Sequence, residues 1–274
     1  MEKLQAALEK ARKKREETGS TGPVSAGTDP APRTRPVRGD VASRWAALPQ
    51  VELSSAALAA HRVVTKEPSE ASTPFDILRT KVLLQMQRNN WKRLAITSPV
   101  PQSGKTTTAC NLALGLGRQN ALRAMVFDFD LGSPSVASFF EFESEVRTSD
   151  VLLGKAGFAE QAVRIEENVG VLASRHVETD PTRIMLSEET GRTLDRIGED
   201  YQPDIMIFDL PSVLVGDNAR AFLKNVDCAL IIARANSTRY GEFDVCEREL
   251  AEHTNVLGVV LNACRKGAMS NDMD

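Results

Sequence analysis

The sequence predicts an α/β fold with a mostly parallel sheet covered by helices on both faces. Three observations carry that prediction. Short, almost wholly apolar, β-leaning runs at 94–98, 124–130, 204–209, 228–233 and 256–262 alternate with helical patterns. Runs that are apolar throughout are what strands buried on both faces need. Several of them also end in polar or acidic residues, at Thr97-Ser98, at Asp128 and Asp130, and at Asp209. In open parallel sheets, ligands bind beyond the carboxyl ends of the strands.

A chain of 274 residues that is 42% hydrophobic has room for one α/β domain with a sizeable core and an appendage. No apolar run approaches the roughly 18 residues of a membrane span. The charged beginning shows no apolar signal region. Residues 1–44 carry ten Lys/Arg against six Asp/Glu, within a net charge of −3 for the whole. The remaining body is therefore acidic, which argues against nucleic acid as a partner. Cys110, Cys228, Cys246 and Cys264 form no CxxC pair and are expected as buried free thiols. The three histidines are scattered and suggest no metal site.

In order along the chain, residues 2–17 pattern as a helix, with Leu4, Ala7, Leu8 and Ala11 on one face. The Pro-, Gly-, Ser- and Arg-rich stretch 18–44 has too little apolar surface to fold alone and reads as a disordered linker. The main domain is expected over 45–265, with Trp45, Leu48, Val51, Leu53 and Leu58 packed onto it. A helix is predicted over 75–91 from Phe75, Leu78, Val82 and Met86, with Thr73 as its N-cap and Pro74 at its first position. Further helices are expected at 146–157, 181–201 and 240–253, and a strand at 169–174. Residues 266–274 form a short tail without tyrosines.

The stretch 94–116 organises the rest. A strand enters the loop Pro99-Val100-Pro101-Gln102-Ser103-Gly104-Lys105-Thr106-Thr107-Thr108, and a helix follows. The first turn of a helix has N–H groups without intrahelical partners, and with the dipole they make an anion site. Gly104 lets the backbone approach a phosphate, Lys105 reaches the β- and γ-phosphates, and Thr106 can place its hydroxyl on Mg2+. Pro99 stands where such loops usually carry their first glycine, and proline has no N–H. The donors are therefore expected from Ser103 through Thr107. Asp128, Asp130 and Asp209 should converge above Lys105, supplying an acid for the metal and a base for the attacking group.

These residues resemble the bacterial tyrosine kinases (BY-kinases) that act with polysaccharide co-polymerases, within the wider MinD/ParA class. The likeness covers roughly 60–265. It is carried by Leu78-Arg79-Thr80, by 97–106 as a Walker A loop, by Val126-Phe127-Asp128-Phe129-Asp130 as a second Walker motif, and by 149–154. It continues through 207–214 as a Walker B motif and ends in Leu257-Gly258-Val259-Val260-Leu261-Asn262. Val100 stands where ParA and MinD proteins carry a lysine, which favours the kinase branch.

The resemblance implies a P-loop NTPase fold, ATP and Mg2+ as cofactors, and tyrosine kinase activity. It implies nucleotide binding by Gln102, Ser103, Gly104, Lys105, Thr106, Thr107 and Asn262, the last against the adenine. Lys105, Asp128 and Asp130 would be catalytic, and Thr106, Asp128 and Asp209 would hold the metal. It further implies a homo-oligomer in the cytoplasm, recruited to the inner face of the membrane by a membrane-embedded co-polymerase, in exopolysaccharide or capsule synthesis or export. No nucleic acid is expected. The family's Glu-x-x-Arg-x-x-Arg ring motif is here Thr73-x-x-Asp76-x-x-Arg79, and Gly132 replaces the arginine after the second Walker motif. An ATP-dependent assembly switch with little phosphoryl transfer, or a MinD/ParA-type positioning ATPase, are the alternatives.

Overall fold

The computed structural model describes residues 38–264; the expected helix at 2–17, most of the linker and the tail at 266–274 lie outside the described residues. The elements run α1 (Arg38–Ala47), β1 (Gln50–Val51), α2 (Ser55–Ala60), α3 (Thr73–Asn89), β2 (Arg93–Thr97), α4 (Lys105–Gly117), β3 (Ala124–Asp128), α5 (Val136–Phe139), α6 (Thr148–Leu152) and α7 (Phe158–Gln161). They continue with β4 (Val163–Ile165), β5 (Val169–Leu172), α8 (Pro181–Leu186), α9 (Glu188–Tyr201), β6 (Ile205–Asp209), α10 (Asn218–Phe222), β7 (Cys228–Arg234), α11 (Tyr240–His253) and β8 (Asn255–Asn262).

The strands form one sheet in the order β1-β4-β5-β3-β6-β2-β7-β8. Neighbours are parallel except β4 and β5. The expected α/β architecture, mostly parallel and helix-covered on both faces, is what the chain adopts. Alternate residues of each central strand feed two separate cores. Val126, Ile207, Leu230 and Ile232 join Val82, Met86, Leu112 and Leu116 of α3 and α4 on one face. Met125, Phe127, Phe208 and Ile231 join Trp45, Leu194, Ile197 and Leu250 on the other. Phe127 stacks on Phe208 at 4.9 Å, and Phe222 closes over Phe129 at 4.4 Å. Burying each such ring is worth roughly 1.5–3 kcal/mol.

Several sequence expectations change: the helix expected over 146–157 spans only Thr148–Leu152, and the strand expected over 124–130 ends at Asp128. Helix α1 starts at Arg38, inside the stretch assigned to the linker, because Val41, Trp45 and Leu48 form a buried face. Trp45 is fixed there by its indole N–H donating to the Tyr201 carbonyl at 2.7 Å. Helix α3 begins at Thr73, and Ser72 rather than Thr73 holds the N-cap position. The predicted helix over 181–201 is two helices, broken at Ser187, whose extended backbone (ψ 132°) and side chain cap α9. Three cysteines are buried as expected, whereas Cys264 is exposed.

Asp76 and Arg79 are turned inward. The Arg79 guanidinium donates to Asp76 at 2.9 Å and to the Gly115 carbonyl at 2.8 Å. Arg118 donates to the same Asp76 oxygen at 2.8 Å, and the Ser72 hydroxyl donates to the other at 2.9 Å. This network ties the start of α3 to the end of α4. Asp76→Ala leaves two guanidinium groups without their carboxylate, at an expected cost of about 1–3 kcal/mol. For a domain of this size that lowers the melting temperature by roughly 2–4 °C per kcal/mol, and an unchanged melt would show that the network contributes nothing.

Candidate functional site

Strand β2 lies between β6 and β7, and β3 lies on the far side of β6. The crossover from β2 to β3 therefore skips one strand, a topological switch point of the kind where open α/β sheets bind ligands. At that rim the parallel register places Asp128 opposite Asp209 and Ile96 opposite Asp209 on the other side. Leu210 and Val213 then donate their N–H groups to Ile96 O at 3.0 Å and Ser98 O at 2.9 Å. The segment after β6 thus follows the loop after β2.

The loop itself is built from local bonds. The Ser98 and Ser103 hydroxyls both donate to the Val100 carbonyl, at 2.7 and 2.8 Å. Gln102 and Gly104 take positive φ, 58° and 93°. Glycine tolerates this conformation without a Cβ penalty. Gly104 caps α4, whose first intrahelical bond runs from Thr108 N–H to Gly104 O. The N–H groups of Lys105, Thr106 and Thr107 precede it and have no intrahelical acceptor.

Lys105 donates to the Ser212 hydroxyl at 3.2 Å, which in turn sits 3.0 Å from the Ser98 hydroxyl. Thr106 donates to Asp209 Oδ2 at 2.5 Å and lies 3.1 Å from the Ser135 hydroxyl. Asp209 is fully buried, and its Oδ1 has no hydrogen-bond partner. Burial pushes its carboxyl up to about 7, against the lowering effects of the Thr106 hydroxyl and the Lys105 charge. Burial, then the Asp209 charge, also raises Asp128 well above the usual carboxylate range. Asp130 is raised by burial and lowered by Lys105. An acidic pocket holding two carboxylates and an unpaired buried oxygen fits a hard divalent cation with oxygen ligands.

The structure thus brings Ser103, Gly104, Lys105, Thr106, Thr107, Asp128, Asp130 and Asp209 to one rim. It also gives several of them bonds beyond the nucleotide and metal roles expected of them. Asp128 Oδ2 accepts the N–H groups of Ser135 and Val136, both at 2.8 Å, and so caps α5. Only its Oδ1 has capacity left, beyond a 3.3 Å contact from Asp130 N–H. Asn262 donates to the Ser103 carbonyl at 2.9 Å and bears directly on Gly104. Gln102 offers its carbonyl to the Arg234 guanidinium at 2.7 Å. Ser212, Ser135 and Arg234 were not singled out from sequence. Ser212 follows the apolar run ending in Asp209 by three residues, which is the one sequence signal that could have marked it.

A helix start fed by a central strand, flanked by acidic ends of neighbouring strands, defines the P-loop NTPase fold. The chain is similar to bacterial tyrosine kinases within that class. It is 28% identical over 202 residues to "Tyrosine-protein kinase YwqD" of Bacillus subtilis, covering 73% of this chain and 84% of the relative. The kinase domain of the Escherichia coli tyrosine kinase ETK shares the fold at a TM-score of 0.66 and 23% identity, covering 74% of this chain and 79% of that one. The septum site-determining protein MinD of Pyrococcus horikoshii, complexed with Mg-ADP, shares it at 0.53 and 19% identity, covering 67% and 74%. No family model matches the chain.

Proposed function

We propose that the chain binds magnesium-ATP at this rim and transfers the γ-phosphoryl group to a tyrosine hydroxyl. One observation carries the reading: Lys105, the Thr106–Asp209 pair and the unpartnered Asp209 oxygen stand together at the start of α4. The name of the curated relative supports the kinase assignment, and the Mg-ADP of the MinD structure supports the cofactors. Magnesium, when bound, would neutralise charge developing on the phosphate oxygens. Thr106 and Asp209 would hold it together with those oxygens, since no three acidic, His or Cys side chains among the described residues form a self-sufficient metal cluster. Lys105 and the N–H groups of 104–107 bind and orient the phosphates. Asp128, through its less engaged Oδ1, accepts the proton of the attacking hydroxyl, and Asp130 keeps Lys105 in place. Asn262, already at the loop, faces the base.

The same reading places the protein in the cytoplasm, as a homo-oligomer that engages a membrane-embedded co-polymerase and regulates exopolysaccharide or capsule synthesis or export. Among the described residues no helix is long and apolar enough to cross a membrane, so recruitment would run through that partner. One observation favours the assembly switch instead: Asp128 Oδ2 is already committed to two N–H groups of α5, which leaves only Oδ1 to meet an attacking hydroxyl. ATP-dependent sedimentation shifts without phosphoryl transfer would select that reading.

The test is Lys105→Met. A bond to a charged group is worth about 1.5–3 kcal/mol, so its loss weakens ATP binding by roughly 10- to 150-fold. Calorimetry on both proteins measures this, and equal affinities would refute the site.

A further inference from the structure

The sequence holds two tyrosines, and the fold treats them oppositely. Tyr201 is buried, its ring edge-on to Phe158 at 4.7 Å and to Trp45 at 6.2 Å. Its hydroxyl cannot meet a phosphorus atom without opening the core around α1 and α9. Tyr240 is 73% exposed and opens the 14-residue helix α11.

The placement of Tyr240 ties it to the nucleotide rim. Strand β7 ends at Arg234, whose guanidinium holds the Gln102 carbonyl of the phosphate loop. The next residue, Ala235, donates its N–H to the Asn262 carbonyl at 2.9 Å. A turn then closes on Arg234: the Ser237 and Thr238 N–H groups donate to its carbonyl at 3.2 and 2.9 Å, and its own N–H donates to the Thr238 hydroxyl at 2.8 Å. The Glu242 carboxylate accepts the Arg239 N–H at 2.9 Å and fixes the helix start. Tyr240 is therefore an exposed side chain on a rigid turn, at the same edge of the sheet as Lys105.

We propose that Tyr240 is a tyrosine phosphoacceptor of this chain, modified by the nucleotide site of a second copy. This rests on the kinase reading above. The fixed turn keeps the Tyr240 backbone from following its own loop, whereas a second copy can approach rim to rim. In the step, the Tyr240 oxygen attacks the γ-phosphorus of ATP and a new O–P bond forms. The bond from that phosphorus to the β-phosphate oxygen breaks, ADP leaves with the electron pair, and the hydroxyl proton passes to a carboxylate. The resulting dianion sits at the positive end of α11, where negative charge is favoured. Arg239 precedes it in the chain, while Glu242 and Asp244, two and four residues further along the helix, are the charges that oppose it.

The test uses the full chain. Wild-type protein is mixed with a Lys105→Met chain of distinguishable mass, radiolabelled ATP, magnesium and a synthetic Glu/Tyr copolymer as a control acceptor. The expected result is label on the Lys105→Met chain, mapped by mass spectrometry to the Tyr240 peptide. That label is lost in Lys105→Met/Tyr240→Phe and kept in Lys105→Met/Tyr201→Phe, while the copolymer is labelled throughout. Far-UV circular dichroism confirms that each variant folds. A labelled copolymer beside an unlabelled chain, or label surviving Tyr240→Phe, overturns the proposal and leaves the kinase reading standing. If ATP binds but neither acceptor is labelled, the kinase reading falls and the proposal falls with it.

Discussion

Asp209→Asn is expected to stabilise the nucleotide-free protein above pH 7 and to abolish its stabilisation by magnesium-ATP. The wild-type carboxyl is buried beside Asp128, and burial lifts it from an ordinary 3.8 to about 7. Between those two values the unfolded chain has released the proton and the folded chain has kept it. Stability is therefore full below about 3.8 and falls as pH rises through the window, levelling above about 7. A shift of about 3 units corresponds to about 4 kcal/mol. Asparagine removes the buried charge and keeps an acceptor for the Thr106 hydroxyl. Its advantage should be small near pH 4 and reach several degrees of melting temperature at neutral pH, at roughly 2–4 °C per kcal/mol. Asp128 moves stability in the same direction, and losing the Asp209 charge relieves part of its own upward shift, which adds to the advantage of the variant. A bound ligand stabilises only the state that holds it. Wild-type melts should thus rise with magnesium-ATP at neutral pH while those of Asp209→Asn do not. Parallel pH profiles for the two proteins would contradict the buried-charge account.

Much of this site can be traced from sequence because adjacency to a strand end fixes it. Gly104, Lys105 and Thr106 follow β2 across one short loop, and Asp209 ends β6, so the strand pattern alone carries them to the rim. The central strands were legible for a similar reason: Val126 and Phe127 each need an apolar partner on opposite faces, and only a doubly covered sheet provides both. Strands β1 and β4 were not, because two or three residues are too short to show a period, and the half-exposed Arg164 interrupts β4. The break at Ser187 was hidden because residues on both sides of it keep helical spacing. Contacts made where loops fold back left no local trace. Ser212 reaches Lys105 only because Val213 is pinned to Ser98. Asp128 caps N–H groups seven and eight residues ahead of it, a reach that no periodicity encodes.

Gly104→Ala is expected to cost more than any other single methyl in the loop, and Asn262→Ala to recover part of that cost. Gly104 sits at φ +93°, and an added Cβ would lie 2.1 Å from Asn262 Nδ2. A left-handed alanine costs roughly 1–2 kcal/mol. Displacing Asn262 further loses its bond to the Ser103 carbonyl, worth about 0.5–1.5 kcal/mol. The single substitution should therefore destabilise by about 1.5–3.5 kcal/mol, the sum of the two effects. It should also weaken ATP binding, because the displaced loop no longer aims the N–H groups of 105–107. Asn262→Ala alone removes the hydrogen bond and the obstacle together. In that background Gly104→Ala adds the backbone strain alone, so the two changes should be less than additive by about 1 kcal/mol. Denaturant melts of the four proteins give this coupling directly. Strict additivity would mean that β8 does not brace the phosphate loop, and the contact between Asn262 and Gly104 would then have no energetic consequence for nucleotide binding.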